Sequence, residues 1–132
     1  MQRSLMAAVV AAGFIQFSAG VALAADPVAG QKAFAVCKAC HQVGEKAKNG
    51  VGPILNGVVG RPAGSVEGFK YSDAMKSSGI TWDEAALDEY LKNPKAKVPG
   101  NKMAYAGLKD DTKRADVIAY LSQIGADGKL PQ

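Results

Sequence analysis

The sequence predicts an all-α domain of about four to five helices joined by long loops, and three observations predict it. Apolar residues recur at helical spacing near Phe34, across Ala86 to Leu91 and across Val117 to Ile124. Between Gln42 and Gly68 no strand alternation survives; Asn56-Gly57, Gly60 and Pro62-Ala63-Gly64 supply turn signals instead. The only histidine and the only two cysteines fall together, in Cys37-Lys38-Ala39-Cys40-His41.

That last stretch reads C-x-x-C-H, the attachment signal of c-type haem. Two thiols at this spacing bond to the two vinyl groups on one edge of the macrocycle. The histidine that follows then lies under the iron and ligates it. Three other readings compete. A zinc site wants four protein ligands, and only three such residues exist. A thioredoxin-like pair sits in a βαβ pattern, which is not found. A plain disulfide leaves His41 unexplained.

The 132 residues make one domain. Arg3 gives a short basic start, Leu5 to Phe17 is mostly apolar, and Ala22-Leu23-Ala24 fits the small-x-small rule for signal cleavage. We expect residues 1–24 to be a cleaved signal peptide and residues 25–132 the functional domain. An uncleaved anchor is the competing reading, weakened by Gln16, Ser18 and two glycines within the apolar run. Export fits the cysteines, since thioethers leave no free thiol in an oxidising compartment. Cleavage removes one positive charge, Arg3, from a formal net charge of +4. The mildly basic remainder permits steering toward an acidic partner. It carries no nucleic-acid signature.

In chain order, Asp26-Pro27 opens a helix expected to run to about Cys37, with Asp as cap and Pro at the first helical position. Phe34 lies on its buried face, and Gly30 is explained by close contact with another backbone. Gln42 to Gly68 reads as a long ordered loop suited to wrapping a flat cofactor. Tyr71 to Ser78 makes a short helix stopped by Gly79. Thr81-Trp82-Asp83-Glu84 reads as a capping box, opening a helix to about Asn93 with Ala86, Leu87, Tyr90 and Leu91 inward. Pro94 stops it. Lys95 to Lys109 is expected to be helix-free. Asp110 or Asp111 caps the last helix, whose stripe is Val117, Tyr120, Leu121 and Ile124, and Gly125 ends it.

An iron held by His41 needs a ligand on its other face, and with no second histidine the candidates are methionine, lysine or an open position. Met75 sits mid-helix and reads as a gap filler. Met103 lies in Pro99-Gly100-Asn101-Lys102-Met103, a rigid loop able to present sulfur, and periodicity alone leaves it open between ligand and filler.

The chain is similar to class I cytochrome c, the group of mitochondrial cytochrome c and bacterial cytochrome c2, over nearly all of the segment from Gly30 to Leu121. Beyond the haem signal and the Gly30…Phe34 pair, the residues that carry the resemblance begin with Gly52-Pro53-Ile54-Leu55 and Gly57-Val58-Val59-Gly60-Arg61. Gly68 to Ala74, Gly79 to Trp82, Tyr90-Leu91 and Asn93-Pro94-Lys95 follow. Pro99 to Met103, Ala106-Gly107 and Ile118 to Leu121 close the series. The resemblance implies the class I cytochrome c fold around one haem c bound through Cys37 and Cys40, with His41 and Met103 as its metal ligands. It implies that the Pro53 carbonyl orients His41 and that Arg61, Tyr71 and Trp82 surround the propionates. Tyr90 would lie near the Met103 sulfur, and Gly30 and Phe34 would pack on Tyr120. Arg61 alone would read as a solvated charge, and Trp82 and Tyr90 alone as core.

Three positions depart from the family's pattern. Asn101, expected to offer a propionate a hydrogen bond, stands where threonine is frequent; Met75 replaces a frequent asparagine, and Tyr105 a frequent phenylalanine. The resemblance implies a soluble, monomeric, periplasmic one-electron carrier and no enzyme. Its donor would be a bc1-type complex and its acceptor an oxidase, reaction centre or reductase, with membranes met only through those partners. Lys38, Lys95, Lys97, Lys102 and Lys109 are candidates for docking. The rival reading is a haem peroxidase or gas sensor with an open sixth iron site, for which a distal acid/base residue is missing.

Overall fold

The computed structural model describes residues 24–132, so the expected leader lies outside the described residues except for Ala24. Five α-helices follow in order: α1 (Pro27–Ala33), α2 (Asp73–Lys76), α3 (Glu84–Lys92), α4 (Pro94–Lys97) and α5 (Asp111–Ser122). Among the described residues no strand forms, and no helix is long and apolar enough to cross a membrane.

Helix α1 begins as its sequence requires. The Asp26 carboxylate accepts the Val28 and Ala29 amides at 2.9 and 3.2 Å, and Pro27 occupies the first turn. It does not continue as one α-helix to Cys37. At Phe34 the chain tightens into a 3₁₀ helix, Phe34–Ala39. The tighter winding lets the Cys37 carbonyl accept both the Cys40 and the His41 amides, at 3.1 and 2.9 Å.

Helices α1 and α5 cross at Gly30. A Cβ there would stand 1.9 Å from the Asp116 carbonyl oxygen, so only glycine permits the approach. Phe34 and Tyr120 meet beside it with ring centroids 5.6 Å apart. The Asp116 carboxylate also accepts the Asp26 amide at 2.7 Å. The expected stripe of Val117, Tyr120, Leu121 and Ile124 is buried, and it forms the core with Phe34, Trp82, Leu87, Tyr90 and Val98. Arg114, 3% exposed, ties α5 to its surroundings. It donates to Asp88 and Asp111 at 2.6 Å and to the Leu108 carbonyl at 2.9 Å.

Three further element boundaries differ from expectation. Thr81 is not a cap. Residues 60–63 and 80–82 lie alongside each other, with Gly60 N–H on the Trp82 carbonyl and Ala63 N–H on the Ile80 carbonyl, both at 2.7 Å. This pairing holds Thr81 extended, and the cap passes to Asp83, which accepts the Ala86 amide at 2.7 Å. Helix α2 is shorter than Tyr71 to Ser78. Ser72 fixes its start by accepting the Met75 amide, and the Ser77 and Ser78 hydroxyls close its end by donating to the Asp73 and Met75 carbonyls. Pro94 ends α3 and at once begins α4, with Asn93 capping Ala96 at 3.2 Å. The segment after Pro94 is therefore not helix-free. Of the two candidate caps for α5, Asp110 serves, accepting the Lys113 amide.

Candidate cofactor site

Cys37 lies half-buried inside the 3₁₀ helix, and Cys40 caps its end in solvent, with no disulfide between them. Burial, and secondarily Cys40 beside it, pushes the Cys37 thiol above its ordinary pKa. Among the described residues no three His, Cys, Asp or Glu side chains gather to hold a metal ion.

The imidazole of His41 is oriented from one side. Its Nδ1 lies 2.8 Å from the Pro53 carbonyl oxygen. Because a carbonyl only accepts, Nδ1 carries the proton and Nε2 presents a lone pair. Burial lowers the His41 pKa, against the Pro53 hydrogen bond, with the Arg61 charge adding to the fall. The ring is thereby held neutral, the form that ligates a metal. Gly52 lies flat against it: a Cβ there would stand 2.4 Å from Cε1. The Gly52 amide donates to the Cys40 carbonyl at 2.8 Å, which fixes the loop to the motif.

A second group of side chains presents donors. Arg61 directs Nη1 to the Ile54 and Asn56 carbonyls at 3.1 and 2.9 Å. Its Nε is buried and has no partner among the described residues. Burial lowers its pKa, and the nearby Tyr71 opposes this. The Tyr71 hydroxyl accepts the Val66 amide at 3.1 Å, and its proton remains for another acceptor. Trp82 is buried close by in the chain, tilted on Tyr90 with centroids 4.8 Å apart. An orphaned buried N–H beside a half-used hydroxyl fits an anionic group such as a haem propionate. The residues present therefore fit a haem.

Met103 is half-buried against the core that Cys37 also touches. The Tyr90 hydroxyl donates to its sulfur at 3.8 Å. Burial pushes the Tyr90 pKa up to about 12, so the hydroxyl keeps its proton. Asn101 does not fill the place the sequence left open for it. Both its N–H protons go to backbone carbonyls, Pro94 at 2.9 Å and Val98 at 2.8 Å. No donor remains for a propionate, and its Oδ1 accepts the Met103 amide at 2.9 Å.

The five candidate docking lysines divide. Lys97 is engaged with Glu89, and Lys109 donates to the Lys92 carbonyl at 2.5 Å. Lys38, Lys95 and Lys102 are exposed. Sequence reasoning missed the task of Asn101 and the Arg114 cluster, in which Asp88 comes from α3. It placed Gly52 in a matched block without its contact to His41.

A small helical domain closed around Cys-x-x-Cys-His, with an oriented imidazole and unsatisfied donors, defines a haem-attachment protein. The comparisons agree. Residues 27–125 match the family model described as "Cytochrome c". The chain is 61% identical over 113 residues to cytochrome c-554 of Methylosinus trichosporium, covering 85% of this chain and 86% of that one. It is 58% identical over 120 residues to cytochrome c2 of Rhodomicrobium vannielii, covering 91% and 95%. Among solved structures, cytochrome cH from Methylobacterium extorquens superposes with a TM-score of 0.70 at 55% identity, covering 74% of this chain and 98% of that one. The chain belongs to the cytochrome c family, with the class I fold and covalently bound haem c. It is an electron carrier that works with redox partners, and it is not an enzyme.

Proposed function

We propose that Cys37 and Cys40 hold the haem, that His41 and Met103 are its axial ligands, and that the chain is a soluble, monomeric periplasmic carrier. Residues 1–24 would direct export and then be cleaved off. The donor would be a bc1-type complex, and the acceptor an oxidase, a reaction centre or a reductase. The observation that carries this reading is the Nδ1–H bond from His41 to Pro53, which leaves Nε2 as the one unprotonated nitrogen of a half-buried, neutral ring.

When bound, the haem iron takes up and releases one electron. The chain's residues make that exchange easy and selective. Pro53 and Gly52 prevent the imidazole from turning. Met103 offers a neutral thioether, which favours the reduced metal and raises the potential. Tyr90 holds the sulfur from the other side with a hydroxyl that stays protonated. Arg61 and Tyr71 supply N–H and O–H donors to the propionates, keeping that negative charge away from solvent. Lys38, Lys95 and Lys102 are free to steer a brief encounter with an acidic partner, since rim charges act on association rate more than on affinity.

The test is the rate of reduction by membranes that contain a bc1-type complex, followed at rising ionic strength. Screening of steering charges predicts a falling rate. A rate indifferent to salt would remove the docking face from this account.

A further inference from the structure

The loop that carries Met103 has little apolar anchoring of its own. After α4 the chain turns at Val98-Pro99-Gly100-Asn101, where the Asn101 amide donates to the Val98 carbonyl at 3.1 Å and Gly100 has φ +87°. Proline second and a positive-φ glycine third are the signature of a type II turn. Val98 is 3% exposed, but Pro99, Gly100 and Lys102 face solvent. The turn fixes the direction of the chain but does not bond to Met103.

Asn101 does. Its amide makes three hydrogen bonds at once: to the carbonyl that begins α4, to the carbonyl that follows it, and from the Met103 amide. The assignment of oxygen and nitrogen follows from chemistry, since the two carbonyls need donors and the Met103 N–H needs an acceptor. A hydroxyl side chain has one proton and cannot donate to both carbonyls.

We infer that Asn101 is a positioning residue that clamps Met103 in place, so that the sulfur resists displacement from the iron by competing ligands. The inference rests on Met103 being the second axial ligand. The clamp works by lowering the population of an open loop in which the sulfur has swung away. A competing ligand binds only that open population, so its apparent affinity measures the clamp.

The experiment uses the purified haem-loaded protein and imidazole as the probe, titrated into the oxidised form while the far-red sulfur-to-iron band is followed. Asn101→Leu keeps the volume and removes all three bonds. Asn101→Thr keeps an oxygen for the Met103 amide. Asn56→Ala is the control: it removes two bonds to Gly44, in a loop on the His41 side. We expect Asn101→Leu to bind imidazole at least tenfold more tightly than the parent, Asn101→Thr to fall between them, and Asn56→Ala to stay within about twofold although its unfolding midpoint drops. Equal imidazole affinity in parent and Asn101→Leu would overturn the clamp. So would a matching rise in Asn56→Ala, which would mean general loosening. A parent protein without the far-red band would overturn the Met103 ligation itself, a different failure read from a different sample. Should Asn101→Leu not fold, the Thr variant alone decides, by rising above the parent or not.

Discussion

Around His41 the backbone holds the side chain in place; around Met103 other side chains do. The imidazole is bonded to the Pro53 carbonyl, and Gly52 lies against it so closely that a Cβ would stand 2.4 Å from the ring. The sulfur is reached by the Tyr90 hydroxyl, and its residue is tied down by the Asn101 amide. The first arrangement is joined by main-chain groups, the Pro53 carbonyl and the Gly52 amide. The second draws on α3, α4 and the loop after it. A backbone-held ligand can move only if the loop moves. A side-chain-held ligand is tuned, and released, by single substitutions.

The sharpest way to break this contrast is to add one methyl group to each region. Gly52→Ala sets a Cβ into an imidazole that cannot retreat, and should cost about 3 kcal/mol or more. Gly100→Ala meets only the Ala74 Cβ, at 3.3 Å, and carries chiefly the cost of its positive φ, about 1–2 kcal/mol. Urea unfolding of the two variants checks both figures; equal losses would erase the distinction.

The smallest effect belongs to Tyr90→Phe. Losing a hydroxyl–sulfur bond should cost under about 1 kcal/mol. The pH dependence is more telling. The folded protein holds the Tyr90 proton up to about 12, whereas the unfolded chain releases it near the ordinary value of 10.0. Between those values the unfolded state binds fewer protons, so stability falls as pH rises. Tyr90→Phe should flatten that fall, as read from unfolding midpoints across the window. An unchanged slope would mean that the hydroxyl is not buried as described.

How much was legible in the sequence follows the same division. Cys37, Cys40 and His41 are contiguous, and the Pro53 contact is local enough to travel with its motif. The stripe of α5 follows from periodicity, and the cost of a helical glycine pointed to a close backbone contact at Gly30; that the contact is with α5 came from the family resemblance. The partners of Asn101 were not legible. An asparagine in a loop has four bonding positions, and which are filled depends on where α4 ends, a helix the reading of Pro94 as a stop did not anticipate. Thr81 failed as a cap for a related reason: its pairing with Pro62 is a contact between distant segments that no four-residue pattern contains. Lys97 and Lys109 read as free charges until the fold supplied Glu89 and the Lys92 carbonyl.

Held between His41 and Met103, the iron would have no open position. The most direct test is the visible spectrum of the purified protein, oxidised, then reduced, then exposed to carbon monoxide. A far-red sulfur-to-iron band, sharp reduced bands and no response to carbon monoxide are the predicted result. A missing far-red band with ready carbon monoxide binding would contradict it, leaving a haem whose sixth position is open.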